Sequence, residues 1–353
     1  MTTHSIAVIA GDGIGQEVVP AARRVIDHAG EKFGFRLEYT DFDWGAEYYF
    51  HHGRMTPPDA LERLRPFDAI LLGAVGHPDI PDHVTLNGLL LPIRRTFDQY
   101  ANVRPAVLYD GVKSPLAKAT PGSIDMIVVR ENTEGEYSQV GGFLYHNQPE
   151  EVAIQTSVFT RRGCERIIRF AFELARTRSR RRLASITKSN AQGFSMVLWD
   201  RAFDVVAAEY PDIETESLLV DAAAMNFVRR PESFDVVVAS NLFGDILSDL
   251  SAIISGSIGL AASANLDPSR RYPSMFEPVH GSAPDIAGKG LANPLATVLS
   301  AAMMLDHLQL KDAAQAVEHA VAAVLASGVA RTPDLGGSAT TVLVTEAVMD
   351  ALN

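Results

Sequence analysis

Two carboxylates, Asp245 and Asp249, stand four residues apart in SNLFGDILSDL, directly after the apolar run DVVVA (Asp235 to Ala239). On a helix this spacing puts both on one face, where like charges repel mildly. A solvated helix tolerates that repulsion, and a cation held between the two would remove it. Asp221, which closes the apolar run ESLLV, offers a third oxygen. A small set of all-oxygen ligands suits Mg²⁺ or Mn²⁺ rather than zinc, and no paired His or Cys motif competes.

The cations form a second set. Arg94 and Arg104 lie in LPIRRTFDQYANVRP, and Arg130 ends the run IDMIVVRE. A guanidinium fork grips a carboxylate through two parallel hydrogen bonds, so arginines at element ends could converge on one. Each alone reads more readily as a surface residue. Arg130 is the exception, because it follows MIVV and must emerge at a strand exit or be paired. Glu131, Asn132, Thr133, Glu134 and Tyr137 follow it, a density of polar groups that structure alone does not demand.

Lys188 leaves another apolar run, in ITKSN. A lysine partly withdrawn from water and near other cations has the lowered proton affinity that a general base or acid needs. A solvated loop lysine is the equal alternative. The segment FEPVHGSAPDIAGKGLANP packs His280, prolines and glycines between a strand-like start and a helix. It suits cofactor binding, although its composition alone makes a structural loop the default.

Elements that position these groups alternate along the chain. SIAVIAG precedes a helix from Gln16, FRLEYTD one from Pro58, and DAILLG one around Gly88 to Gln99. Such alternation is what a mostly parallel sheet covered by helices requires, and open sheets of that kind place ligands at strand exits. In the middle, IDMIVVRE, EVAIQTSVFT, LASITKS, IETESLLV and DVVVAS read as strands, with helices over 161–177 and 193–209. ENTEGEYSQVGGFLYHNQPE is polar and glycine-rich yet carries aromatics, as a loop or β-arm that packs on something, such as another subunit, would. After Asn293 come three helices, over NPLATVLSAAMMLDHL, 310–325 and 337–352.

Size and charge narrow the classes. A chain of 353 residues exceeds what one core usually serves, so two lobes are expected. A net charge of −12 argues against nucleic acid and anionic membrane as partners. The one basic cluster, RTRSRRR (Arg176 to Arg182), reads as a solvated helix terminus. A single cysteine, Cys164, excludes a disulfide framework and fits a buried or half-buried helix position in a reducing compartment. The N-terminus lacks the pattern of a signal peptide and no stretch suits a membrane span, so a cytoplasmic protein is expected.

VIAGDGIGQEVV follows a strand and opens a helix, but its glycines are spaced GxGxG rather than GxGxxG. A tight strand-to-helix turn is preferred there over a phosphate cradle.

Taken in order, GDGIGQEV, RENTEGEY, TKSN, VDAAAM, NLFGDILSD and EPVHGSAPDIAGKGLANP resemble the β-decarboxylating dehydrogenases that act on isopropylmalate, isocitrate, tartrate and D-malate. The resemblance runs nearly the whole chain. It implies an α/β, isopropylmalate dehydrogenase-like two-lobed fold with a large mixed sheet, not a standard Rossmann domain. The first lobe would comprise 1–101 and 255–353, and the second 102–254. It implies a homodimer with shared active sites.

By the same resemblance, Arg94, Arg104 and Arg130 bind substrate carboxylates with Asn87, Leu90 and Leu91 beside them, and Tyr137 and Lys188 exchange protons. Asp221, Asp245 and Asp249 hold Mg²⁺ or Mn²⁺, with Lys188 and Asp221 given to the partner's site. The dinucleotide lies on Glu277, His280, Gly281, Ser282, Ala283, Asp285, Ile286 and Asn293, outside any glycine fingerprint. A monovalent cation such as K⁺ is a further cofactor of this class.

Asp285 and Ile286 stand where NADP-using relatives carry a Lys-Tyr pair, and a carboxylate repels a 2′-phosphate, so NAD is expected. PDHVTL, GLLL and FDQYANVRP are most similar to the tartrate and D-malate branch, with isopropylmalate as the alternative substrate. Asn87 departs from both patterns, standing where that branch carries Trp and isopropylmalate enzymes carry Glu. Clustered aspartates also serve metal-dependent phosphohydrolases, and the fold alone would allow a non-catalytic acid-binding protein. Neither accounts for the arginines together with Lys188 and Tyr137.

Overall fold

The computed structural model describes residues 2–353. Its strands are β1 (Thr2–Gly11), β2 (Phe35–Asp41), β3 (Ala69–Ala74), β4 (Ala101–Val107), β5 (Asp125–Glu131), β6 (Gly135–Leu144), β7 (Val152–Val158), β8 (Arg182–Thr187), β9 (Glu214–Leu219), β10 (Val236–Ala239), β11 (Ala262–Leu266) and β12 (Ser274–Pro278). Its helices are α1 (Gly15–Phe33), α2 (Ala46–His52), α3 (Ala60–Leu64), α4 (Asp82–Thr85), α5 (Leu91–Thr96), α6 (Arg161–Thr177), α7 (Ser195–Ala207), α8 (Val220–Arg229), α9 (Asn241–Ile254), α10 (Leu295–His307), α11 (Lys311–Ser327) and α12 (Thr341–Leu352).

Ten strands form one mixed sheet in the order β2-β1-β3-β12-β11-β4-β5-β10-β8-β9. The first four run parallel, β11 and β4 each reverse, and β5, β10, β8 and β9 run parallel to one another. The large mixed sheet flanked by helices is the fold class expected from the sequence.

Strand alternation divides the core of the first half. Ile6, Val8, Ala69 and Leu71 face α1, α10, α11 and α12, whereas Ala7, Ile9, Ile70 and Leu72 face Met55, Leu64, Ile93 and Phe97. The other half has its own cluster, from Ala101 to Ile254, built on β5 and β10 and covered by α6, α7 and α9. Helix α6 begins where the Thr160 hydroxyl accepts from the Gly163 N–H at 2.9 Å, an N-cap that explains its sharp start. Cys164 is buried in it.

Three expectations change. EVAIQTSVFT is no part of the large sheet: β7 pairs with β6 in a separate ribbon on which Val140, Phe143, Leu144 and Ile154 are exposed. β4 was hidden in the sequence because Arg104 and Pro105 interrupt its apolar pattern, and the helix from Pro58 shrinks to α3 behind a further helix, α2.

The basic cluster is solvated only in part: Arg176, Arg181 and Arg182 are exposed, whereas Arg178 and Arg180 are half-buried. Arg178 binds Asp125 at 2.8 Å and the fully buried Asp235, which Arg180 approaches at 3.5 Å, while Arg176 and Arg182 pair with Asp212 and Glu214. The cause is Asp235, a carboxylate at the entry to β10 that lies inside the protein and needs cations to be there. Among the described residues no helix is long and apolar enough to cross a membrane.

Candidate functional site

A cavity of about 240 Å³ opens where β3 and β12 end, and Leu90, Leu91, Arg94, Arg104, Arg130, Tyr137, Asp245, Glu277, His280 and Gly281 all line it. Residues far apart along the chain thus meet at one place. Arg94 comes from α5, Arg104 from the middle of β4, Arg130 from the exit of β5, and Asp245 from α9.

Each guanidinium is buried and already has a carboxylate beside it. Arg94 Nη2 donates to Glu277 Oε1 at 2.6 Å, and Arg130 Nη1 donates to Asp245. Arg104 Nη1 lies 3.3 Å from Asp245 and 3.4 Å from Asp249, and donates to Ser248 Oγ at 2.7 Å. Arg94 Nε and Arg104 Nε are buried and find no partner among the described residues. Three guanidiniums and three carboxylates balance, so a dianion enters such a site at lowest electrostatic cost together with a divalent cation.

Arg130 lies deepest. Burial lowers its proton affinity to about 10, against the opposing pull of Asp245, so it is still charged at neutral pH. Asn241 Oδ1 accepts from its Nε at 3.0 Å and its Nη2 at 2.7 Å. A Cβ on Gly244 would stand 2.6 Å from Arg130 Cβ, so only glycine lets α9 lie this close to the side chain.

Tyr137 Oη donates to Asp245 Oδ2 at 2.7 Å. Burial and that bond raise its phenol to about 12, which keeps the proton on it. Burial pushes the Asp245 carboxyl up, but Arg130 and Arg104 outweigh it and the net shift is downward. For Asp249, burial prevails over Arg104 and the shift is upward.

Lys188 and Asp221 lie apart from this cavity, paired with each other at the exit of β8 and the start of α8. The three aspartates therefore do not meet within one chain. Among the described residues no set of three His, Cys, Asp or Glu side chains is placed to hold a metal. Asp245 and Asp249 do share one cation, Arg104 Nη1, and offer oxygen alone, a donor set that fits Mg²⁺ or Mn²⁺ once further oxygens are supplied.

Residues of the 277–293 loop lead away from the cavity. His280 is buried with its Nε2 unpartnered, and burial lowers its proton affinity, leaving a neutral ring with a free nitrogen. Ala283 has φ +40° and packs with Ile286 against Ile14 and Val18. Ser282 lends its carbonyl to the Ile14 N–H at 2.9 Å, and a Cβ on Gly13 would stand 2.1 Å from that oxygen. The glycine-rich loop is thus a tight turn in which the Asp12, Ile14, Gly15 and Gln16 N–H groups are all bonded within the protein. The Asp285 carboxylate is exposed and forms no ion pair among the described residues, while Asn293 is held by Asp334 at 3.0 Å and accepts from the Leu295 N–H. A neutral buried ring and a free carboxylate along one loop fit a dinucleotide.

Asn87 is the outlier of the expected set. It sits in the π-helical turn Leu86–Leu90, is exposed, and does not line the cavity. Two residues escaped sequence reading. Ser248, on the same helix as Asp245, takes the Arg104 bond; Glu136 accepts from Ser240 Oγ at 2.7 Å and from the Leu242 N–H at 3.1 Å, capping α9. Spacing carried no signal for either, because both act across elements far apart in sequence.

A mixed ten-stranded sheet with buried guanidiniums beside a protonated phenol defines an α/β enzyme. The chain belongs to the isocitrate/isopropylmalate dehydrogenase family, whose model matches residues 5–352. It is 53% identical over 355 residues to the decarboxylating D-malate dehydrogenase of Escherichia coli K12, covering 99% of this chain and 98% of that one. It is 50% identical over 362 residues to the tartrate dehydrogenase/decarboxylase of Pseudomonas putida, covering 100% and 99%. Isocitrate dehydrogenase from Methylococcus capsulatus superposes with a TM-score of 0.90 at 37% identity, over 99% of both chains. The protein is therefore an oxidoreductase, a decarboxylating dehydrogenase.

Proposed function

We propose that the enzyme carries out metal-dependent, NAD-linked oxidative decarboxylation of a 2-hydroxy acid bearing a 3-carboxylate, with D-malate or tartrate as substrate. The observation that carries this reading is the convergence of Arg94, Arg104 and Arg130 with Tyr137 and Asp245 on one cavity of about 240 Å³, a size suited to a four-carbon dicarboxylate. The arginines hold the two carboxylates and fix C2 and C3 in place. The chemistry supplied by bound Mg²⁺ or Mn²⁺ and NAD is charge stabilisation at the 2-oxygen and acceptance of the hydride. Lys188 takes the proton from the 2-hydroxyl, and Tyr137 returns one to C3 after CO₂ leaves.

Since Lys188 and Asp221 lie away from the cavity, a homodimer in which each chain gives this pair to the other's site completes the set. The exposed apolar ribbon β6–β7 suits a subunit contact. The lobes are read as 1–101 with 255–353, and 102–254, in keeping with the separate apolar clusters. K⁺ is an additional cofactor to test, and the cytoplasm is the expected compartment.

The deciding experiment is a panel of D-malate, tartrate isomers, isopropylmalate and isocitrate with Mn²⁺ and either NAD or NADP, followed at 340 nm. D-malate or tartrate with NAD gives the rise in absorbance. Activity on none of the panel, or equal kcat/KM for the two dinucleotides, overturns the corresponding part. The apolar wall of Leu86, Leu90 and Leu91 favours 3-isopropylmalate as the second reading.

A further inference from the structure

Asn87 is exposed and outside the cavity, yet its neighbours Leu86, Leu90 and Leu91 all line it. In a π-helical turn Asn87 and Leu91 lie about one turn apart, so the amide stands beside the cavity wall. Both ends of that amide are occupied. Nδ2 donates to the His83 carbonyl at 2.7 Å, and Oδ1 accepts from Gln139 Nε2. Gln139 belongs to β6, two residues beyond Tyr137, in the stretch where the pairing of β6 with β7 shifts register. The backbone is tied down there as well, since Arg95 Nη2 donates to the Tyr137 carbonyl at 2.6 Å.

We infer that Gln139 is a specificity-determining residue, acting by holding Asn87 away from the substrate. With the amide held, this side of the cavity is walled by Leu86, Leu90 and Leu91, which accept hydrogen or an alkyl group at C3 but offer no partner to a C3 hydroxyl turned toward them. A buried hydroxyl without a hydrogen bond is disfavoured. The enzyme therefore prefers D-malate, which has no hydroxyl at C3, over tartrate, which has one. Release of Asn87 supplies a polar group that can swing to that hydroxyl.

The inference rests on the reaction proposed above, and its failure is distinguishable from failure of that reading. Measure kcat/KM for D-malate and for tartrate, with NAD and Mn²⁺, in the wild type, Gln139→Ala, Asn87→Ala and the double variant. The wild type favours D-malate. Gln139→Ala raises the tartrate to D-malate ratio on the order of tenfold, the scale of one hydrogen bond in discrimination. In the double variant that gain vanishes, because it acts through Asn87; a purely structural effect of Gln139 would survive there. A ratio unchanged within twofold in Gln139→Ala, an equal rise in the double variant, or a wild type that favours tartrate overturns the role of Gln139. A wild type inactive on both acids overturns the underlying reaction instead.

Discussion

Tyr137 Oη donates to one oxygen of Asp245 at 2.7 Å while the other oxygen takes Arg130 Nη1, so a single carboxylate orients both a phenol and a buried guanidinium. With its proton affinity raised to about 12, the phenol remains a proton donor across the neutral range. Replacing it by phenylalanine keeps the ring over Arg130, 5.2 Å from its carbon, and removes only the hydroxyl. In Tyr137→Phe, kcat with the preferred acid falls roughly 100-fold while KM changes about threefold at most. Steady-state kinetics checks this, and a kcat within twofold of wild type removes Tyr137 from the chemistry.

Asp245 shares Arg104 with Asp249, and in the proposed function the pair offers oxygens to a divalent cation. Asp245→Asn keeps the shape and halves that charge. On the proposed function, the Mn²⁺ concentration for half-maximal rate rises about tenfold or more, on the scale of one lost charged ligand, while NAD affinity, assigned there to the 277–293 loop, changes about twofold at most. Metal titration of the rate and calorimetric NAD binding separate the two effects. Unaltered metal dependence would return Asp245 to a purely structural role beside Arg130.

Arg178 looks like part of a solvated basic terminus in sequence but holds the fully buried Asp235. Arg178→Ala leaves that carboxylate short of a cation, at a cost of about 3 kcal/mol. Urea unfolding measures it; a surface arginine would cost about 0.5 kcal/mol or less.

Glu131 closes β5 inside the protein, and burial raises its carboxyl to about 7 in spite of bonds from the Thr133 and Glu134 N–H groups. Its folded proton affinity thus exceeds the unfolded one. Between about pH 4.5 and 7 the folded state holds the extra proton, so this group's contribution to stability falls as pH rises through that window and is level above it. Glu131→Gln removes the titration. Unfolding free energy against pH then slopes less steeply downward between pH 5 and 7 than in wild type; parallel curves would show that Glu131 titrates normally.

Much of the fold was legible because parallel strands and amphipathic helices write their periodicity locally. β1, β3, β5 and β10 are nearly continuous apolar runs, and α6, α10, α11 and α12 lie close to where periodicity predicts them. β4 was not legible, since its central arginine faces a cavity rather than a core, and β7 read as a sheet strand because β-branched alternation does not say which partner a strand pairs with.

Residue types in order along the chain determined by themselves the chemistry on offer: carboxylates at Asp221, Asp245 and Asp249, guanidiniums at Arg94, Arg104 and Arg130, a phenol at Tyr137 and an amine at Lys188. Only the tertiary structure decided which of these meet. It gathered the arginines with Tyr137 and Asp245, set Lys188 and Asp221 apart, turned Asn87 toward Gln139, and showed Arg178 bound to a buried charge. The reason is physical. A side chain's chemistry is carried by its own atoms, whereas its partners are set by strand order and helix packing, which join residues more than a hundred positions apart.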